Sequence, residues 1–369
     1  MRKKGIKQAS AFVLTATFVC SAAILPNVYA ALAVDTEAVC SVEVDVTGCS
    51  YKELNGADPQ VSAYPVTVHL YKVADIDGSG QYTPVESIET LDLTELSHET
   101  TAAQWEALAA AAKAEVEADA MAAAATGTTT DGEVTFEGLP VGLYLVDAVQ
   151  VRSDNYQYDF TPYLISLPIN YYYDRKPADD TWVYDLTGAN AIGIKPEKSD
   201  RYGDLEIVKV LDAYNATLGG ANFVFQVEGS RTDIDTGEVT VVYSDVLSMT
   251  FENPGEDRIW IREIPAGSVM TVTEVYTGAS YELASDGVQT VTILANEPGD
   301  TPEGAPAEAP ETGESADPGQ ETEATGPVTV TFENTYDGRL NGGTGLVNTF
   351  SYNAETGEWT YEATEDSTP

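Results

Sequence analysis

A chain of 369 residues with 60 acids and 18 bases carries a formal charge of −42. That surplus repels phosphate backbones and anionic headgroups, and so excludes nucleic acid and membrane surfaces as partners. The length allows two domains of ordinary size with linkers, and the only histidines, His69 and His98, stand far apart with no cysteine or carboxylate cluster beside them. A metalloenzyme or a Ser-His-Asp hydrolase is therefore poorly supported. Gly219-Gly220 leads into Ala221 and Phe223 as the start of a strand, not a phosphate loop. We expect no enzyme activity, no metal and no cofactor.

The chain opens with Arg2, Lys3, Lys4 and Lys7 ahead of an apolar run over residues 9–25, and Val28-Tyr29-Ala30 offers small residues for cleavage. This reads as a secretory signal over residues 1–30, cut after Ala30 or after Ala33. Thr17-Phe18-Val19 before Cys20 lacks the small residues of a lipobox. Loss of four leader bases brings the mature charge near −46. No later stretch is long and apolar enough to span a bilayer, so the mature chain is expected to be secreted or at the cell surface without membrane insertion.

Export leaves Cys40 and Cys49, an even count that suggests a disulfide. Geometry points the other way. Cys40, Val42, Val44 and Val46 alternate as one strand, and nine extended steps span roughly 30 Å, whereas bridged Cα atoms sit within about 7 Å.

Residues 36–198 read mostly as strands. Val66, Val68, Leu70 and Lys72 alternate in VTVHLYKV, and His69 shares the outer parity of Thr67 and Tyr71. Asp75, Asp77, Ser79, Gly80 and Glu86 fit a calcium-loop spacing, but strands rather than helices flank them, so a solvated turn is the better reading. Thr101 and Gln104 form a capping-box pattern before Trp105, Leu108, Ala112, Val116 and Ala120, which predicts an alanine-rich helix inserted over residues 101–125. Strands resume at EVTFEGLPVGLYLVDAVQV, YLISLPI and TWVYDL. Lys72, Asp147 and Asn190 each fall in phase with apolar neighbours, although Gly188 interrupts the last strand. Tyr171, Tyr172 and Tyr173 are the densest aromatic cluster, which serves either a binding surface or the cover of a sheet end.

SDRYG, residues 199–203, reads as a hinge before a second domain over residues 204–336, with hairpin signals at DIDTG and ENPGED. Its insertion over residues 297–327 holds nine acids, no base and no aromatic. Such a stretch cannot bury enough apolar area to order itself, so a disordered loop is expected. Residues 337–369 read as a tail with a small hairpin, in which Asn348 repeats the Asn-Thr-aromatic pattern of Asn334.

Three polar residues interrupt the apolar faces of this second domain. Leu205, Ile207 and Lys209 share one parity, as do Met270, Val272 and Glu274, and Val328, Val330, Phe332 and Asn334. Alternation points each set to one side, so a lysine, a glutamate and an asparagine are expected to meet in a core. Desolvation favours the neutral amine and the neutral acid. A neutral amine is a nucleophile, so Lys209 held against the Asn334 carboxamide would form an isopeptide, with Glu274 polarising the carbonyl and passing the proton to departing ammonia. The plain alternative is a buried or edge ion pair with a spectator asparagine.

DLEIVKVLDAYNATLGGANFVFQV, IREIPAGSVMTVTEV and VTVTFENTY resemble the first, middle and last strands of a Cna B-type (prealbumin-like) domain of Gram-positive surface proteins and pilins. GLPVGLYLVDA, TPYLISLP and WVYDL resemble the N-terminal domain of major pilins, inserted helix included. The resemblance implies an all-β chain of two tandem Ig-like β-sandwich domains. It also implies Lys209, Asn334 and Glu274 as bond donor, acceptor and acid, and offers Lys72, Asp147 and Asn190 as a second set. The implied function is a fimbrial or adhesin subunit of a Gram-positive cell surface, with other pilus subunits and a sortase as partners and a host glycan or protein ligand left unidentified. A secreted carbohydrate- or protein-binding module is the alternative. In major pilins a lysine late in the first domain accepts the next subunit, and Lys195 in AIGIKPEK holds a comparable place without the usual Tyr-Pro-Lys-Asn surroundings. Ala309-Pro310-Glu311-Thr312-Gly313 differs from a Leu-Pro-x-Thr-Gly sorting signal at its first residue and lacks the apolar segment and basic tail that follow a working one, so it is read as coincidence.

Overall fold

Strand alternation organises both halves of the chain. The structure, a computed structural model, describes residues 33–88, 91–94, 96, 100–170, 182–216, 219–297, 327–338, 348–353 and 356–363. The leader, His98, the three consecutive tyrosines, the Ala309–Gly313 motif and nearly all of the acidic insertion lie outside the described residues. The chain divides into two units, one of residues 1–151 and 158–198 and the other of residues 152–157 and 199–369.

In the first unit, strand β1 (Val39–Asp45) buries Cys40, Val42 and Val44. β2 (Thr67–Ile76) runs into a turn at Asp77 and returns as β3 (Tyr82–Pro84). The Asp77 carboxylate accepts from Ser79 N (2.8 Å), Ser79 Oγ (2.6 Å) and Gln81 N (2.9 Å). It closes a turn on its own backbone, and the described residues hold no group of metal ligands.

Helix α1 (Ala102–Ala118) begins at the expected capping box, with Thr101 Oγ1 accepting from Gln104 N and Gln104 Oε1 accepting from Thr101 N. It is shorter than the range 101–125 read from the sequence. Asp119 caps it and Ala120 turns left-handed at φ 47°, because alanine spacing extends a helical pattern further than there is apolar surface to cover. Strands β4 (Ala125–Thr128), β5 (Glu133–Pro140), β6 (Gly142–Ala148) and β7 (Tyr163–Leu167) follow. One sheet has the order β3-β2-β6-β7 with β4 also on β2; in another, β5 pairs with β1. Ala109, Ala112 and Val116 of α1 pack on Val73, Leu143, Leu145 and Leu164, so the β2/β6 sheet is apolar on its helix face as well as on the face carrying Val68, Leu70 and Tyr144.

The second unit is a sandwich of β8 (Tyr202–Leu211), β9 (Ala221–Thr232), β10 (Val239–Phe251), β11 (Gly255–Pro265), β12 (Val269–Tyr276), β13 (Tyr281–Leu283), β14 (Val288–Thr292) and β15 (Val328–Tyr336). Its sheets have the orders β11-β8-β15-β13 and β10-β9-β12-β14. Leu205, Ile207, Val330 and Phe332 from the first meet Phe223, Phe225, Met270 and Val272 from the second in one core. DIDTG and ENPGED form the turns on either side of β10. The first and last strands, β8 and β15, are parallel neighbours, with Lys209 opposite Phe332 and Leu211 opposite Asn334. The Gln289 carboxamide on β14 bonds both backbone groups of Thr331 (2.5 and 3.3 Å) and so ties one sheet to the other.

Residues 199–203, expected as a hinge, are strand on both sides of Arg201: Pro196–Asp200 precedes it and β8 follows. Tyr202 and Gly203 already pair with Pro265 and Ile264, so the backbone there is committed to a sheet. The tail forms the expected hairpin of β16 (Asn348–Asn353) and β17 (Glu358–Ala363). Asn348 pairs there with Ala363.

Candidate functional site

Inward parity carries Lys209, Glu274 and Asn334 to one point in the second core. β8 places Lys209 between buried Ile207 and Leu211, β12 brings Glu274 two residues beyond Val272 and opposite Phe225, and β15 brings Asn334 two residues beyond Phe332. Lys209 and Asn334 are 0 % exposed and the Glu274 side chain is 0 % exposed. No solvent reaches the three groups.

The contacts form a closed set. Lys209 Nζ donates to Glu274 Oε2 at 2.9 Å and makes a short contact with Asn334 Oδ1. Asn334 Nδ2 donates to Glu274 Oε1 at 2.7 Å and to the Thr277 carbonyl at 3.2 Å. The Phe223 ring lies 4.6 Å from Nζ, and the Phe225 and Phe332 rings, one from each sheet, meet at a tilt with centroids 5.2 Å apart. Glu274 thus meets the nitrogen end of the carboxamide, and the contact on Oδ1 comes from the lysine. Thr277 was not picked out in the sequence, since only its backbone carbonyl acts, and Phe223 was read only as the start of a strand; its inward parity is the signal that marks it.

Burial is the largest influence on both titrating groups. Desolvation pulls the Lys209 ammonium below the ordinary lysine range against the opposing pull of Glu274, and it lifts the Glu274 carboxyl above the ordinary range against Lys209 and Asn334. Both shifts act in the direction of a proton on glutamate rather than on lysine, which is the direction that makes the amine touching the carboxamide a nucleophile. A half-exposed pair in the first unit shows the opposite balance. Lys113 Nζ contacts both Asp147 oxygens at 2.7 Å, but its side chain is 33 % exposed. Although desolvation is the largest single influence there and acts downward, Asp147 and Glu117 together raise its pKa, and it stays an ammonium.

The other candidate residues do not assemble. Lys72 pairs with Asp75 at 2.6 Å, Asp147 is taken by Lys113, and Asn190 sits in a 3-10 turn with Nδ2 3.4 Å from the Asp185 carbonyl. In the β2/β6 register Lys72 lies opposite Tyr144 and Asp147 opposite His69, which puts the lysine and the aspartate on opposite faces. Each is in phase with apolar neighbours because that sheet buries both faces. His69 Nδ1 meets Thr126 Oγ1 at 2.8 Å. Lys195 is exposed. Burial pushes the Cys40 thiol up to about 11, and Cys49 Sγ lies 3.7 Å from the Tyr51 carbonyl.

Fold and site together define an all-β protein of two units, the second with an amine, an acid and an amide sealed between its sheets. The profile of a domain of unknown function (DUF5979) matches residues 205–337, which contain all three groups. No curated protein sequence matches the chain. Among solved structures it is similar to the minor pilin of Streptococcus agalactiae, at 16 % identity over 83 % of this chain and 99 % of that one, with a TM-score of 0.20. It is also similar to the major pilin of Streptococcus pyogenes, at 13 % identity over 81 % and 99 % with a TM-score of 0.22. A third similarity is to the full-length major pilin of Corynebacterium diphtheriae, at 12 % identity over 82 % and 99 % with a TM-score of 0.22.

Proposed function

We propose that this chain is an extracellular structural subunit of a fimbria or surface adhesin, and that its second unit locks itself with an isopeptide bond between Lys209 and Asn334. The observation that supports this reading is a fully buried lysine amine in contact with both a carboxyl and a carboxamide. A simple buried ion pair has little to recommend it here, since desolving both charges costs several kcal/mol each and apolar residues would fill the space at least as well.

The reaction balances without a co-reactant. The lone pair of neutral Lys209 Nζ attacks Asn334 Cγ and the Nζ–Cγ bond forms. One proton from Nζ passes through Glu274 to Nδ2, the Cγ–Nδ2 bond breaks, and ammonia leaves. Glu274 is suited to this shuttle because Oε2 faces the amine and Oε1 faces the leaving nitrogen. Both Glu274 oxygens face nitrogens in this arrangement, so the polarisation of Oδ1 by Glu274 expected from sequence has no hydrogen bond here to carry it.

The mechanical consequence follows from topology. β8 and β15 are the first and last strands of the sandwich in chain order, so a bond between them routes a pulling force from residue 209 directly to residue 334 and bypasses the chain between. No helix among the described residues is long and apolar enough to cross a membrane. Exposed Lys195 is the candidate for attachment to another subunit by a sortase. Intact mass of the mature chain made in a neutral host tests the cross-link: a deficit of one ammonia is expected, and Lys209→Ala or Glu274→Ala should restore the uncorrected mass. A wild-type chain at full mass sinks the proposal.

A further inference from the structure

We propose that Gly278 is a positioning residue for the cross-link: its left-handed backbone aims the Thr277 carbonyl at Asn334 Nδ2 and so fixes which end of the carboxamide meets the lysine. The inference rests on the cross-linking reading of the cluster and adds a residue outside the three reacting groups.

A carboxamide has two ends of nearly equal size, and only one orientation is productive. With Nδ2 against Glu274, the leaving nitrogen sits where the shuttled proton arrives. A carboxyl group does not enforce that orientation, because in its neutral form it donates as well as accepts. A backbone carbonyl only accepts. Thr277 O lies 3.2 Å from Asn334 Nδ2, so turning the carboxamide over would bring Oδ1 against another carbonyl oxygen with no proton between them. Thr277 therefore selects the orientation that Glu274 leaves open.

The Thr277–Gly278 peptide is held by its surroundings. Gly278 has φ 80°, a backbone conformation that L side chains rarely adopt. A Cβ there would stand 2.9 Å from Tyr281 Cδ2, 3.2 Å from the Asn222 carbonyl and 3.4 Å from Phe223 Cε1. The Tyr281 ring has little freedom to yield, since it is buried, packs edge-on against Phe223 at 5.6 Å, and accepts a hydrogen bond from Asn215 N at 3.0 Å. Phe223 is itself the ring beneath Lys209. A side chain at 278 must displace either the peptide that carries the Thr277 carbonyl or the ring that supports the amine.

The test uses the full mature chain as wild type, Gly278→Ala and Ile264→Val, the last being a core change remote from the cluster. Each is also made with Lys209→Met, where no bond can form, so that melting reports the cost to folding alone. Unlinked chains are refolded and ammonia loss is followed by intact mass. Wild type and Ile264→Val should close at similar rates, and Gly278→Ala about 100-fold more slowly, the penalty for a displacement of about 1 Å at a reacting centre. The slowing should exceed anything seen in Ile264→Val after matching for the measured loss of stability. If Gly278→Ala shows no cooperative melting, Gly278→Asn replaces it, since asparagine tolerates positive φ. A folded position-278 variant that closes as fast as wild type overturns the role of Gly278, as does equal slowing in Ile264→Val. A wild-type chain that never loses ammonia overturns the cross-link reading, and this inference with it.

Discussion

Replacing Lys209 with methionine removes the amine and keeps an unbranched apolar side chain in a site that is 0 % exposed. The partners are 125 residues apart in sequence. Chain-entropy reasoning for a cross-link closing a loop of that length gives about 5 kcal/mol of stabilisation through the unfolded state. Two smaller changes oppose each other. The hydrogen bond from the linked Lys209 nitrogen to Glu274 is lost, at about 1–3 kcal/mol, but the polar amide of the cross-link no longer has to be buried, and desolvation still favours the neutral acid at Glu274. The net expectation is a loss near 5 kcal/mol, which for a unit of this size lowers its melting temperature by about 15 °C. Scanning calorimetry of wild type and Lys209→Met, with intact mass on the same samples, reads both quantities. Melting of the second unit within about 2 °C of wild type, with the wild-type chain short of one ammonia, would refute the entropic reasoning; equal melting with wild type at full mass would refute the bond.

The rate of closure should be bell-shaped in pH when unlinked chain from inclusion bodies is refolded and quenched. A proton count of one on the Lys209–Glu274 pair is the reactive state. The rate therefore falls at low pH, where Lys209 takes up a proton beside neutral Glu274, and falls again at high pH, where Glu274 ionises beside the neutral amine. A monotonic rise with pH would remove Glu274 from the proton path. Ala at Lys72, Asp147 or Asn190 should leave the mass deficit at one ammonia, because those side chains are held apart; a wild-type deficit of two would show a bond in the first unit. A thiol reagent should reach Cys40 only after unfolding, since Cys40 is fully buried and its thiolate disfavoured. Prompt labelling of Cys40 in the native protein would contradict the packing of β1.

The buried Lys209–Glu274–Asn334 cluster was legible in sequence because each of its strands carries a clean two-residue rhythm and because the three inward faces meet in a single core. The same rhythm misled in the first unit. α1 covers one face of the β2/β6 sheet, so apolar residues occupy both parities, and being in phase with them does not say which face Lys72 or Asp147 takes; only the pairing of Lys72 with Tyr144 and of Asp147 with His69 decides it. Asn190 was read as strand, but Gly188 at φ 57° starts a 3-10 turn there. Of residues 199–203, whose polar composition suggests a hinge, Tyr202 and Gly203 pair with β11. Neither the Thr277 carbonyl nor its dependence on Gly278 has a side-chain signature, since a backbone group acts and the glycine contributes by what it lacks.

Proteolysis of the mature chain followed by fragmentation of the resulting peptides tests the central claim most directly. The account predicts one branched species in which the Lys209 and Asn334 peptides are joined through their side chains with loss of one ammonia, absent from Lys209→Met and from Glu274→Ala. Recovery of both peptides as separate, unmodified linear species from the folded wild-type chain would contradict it.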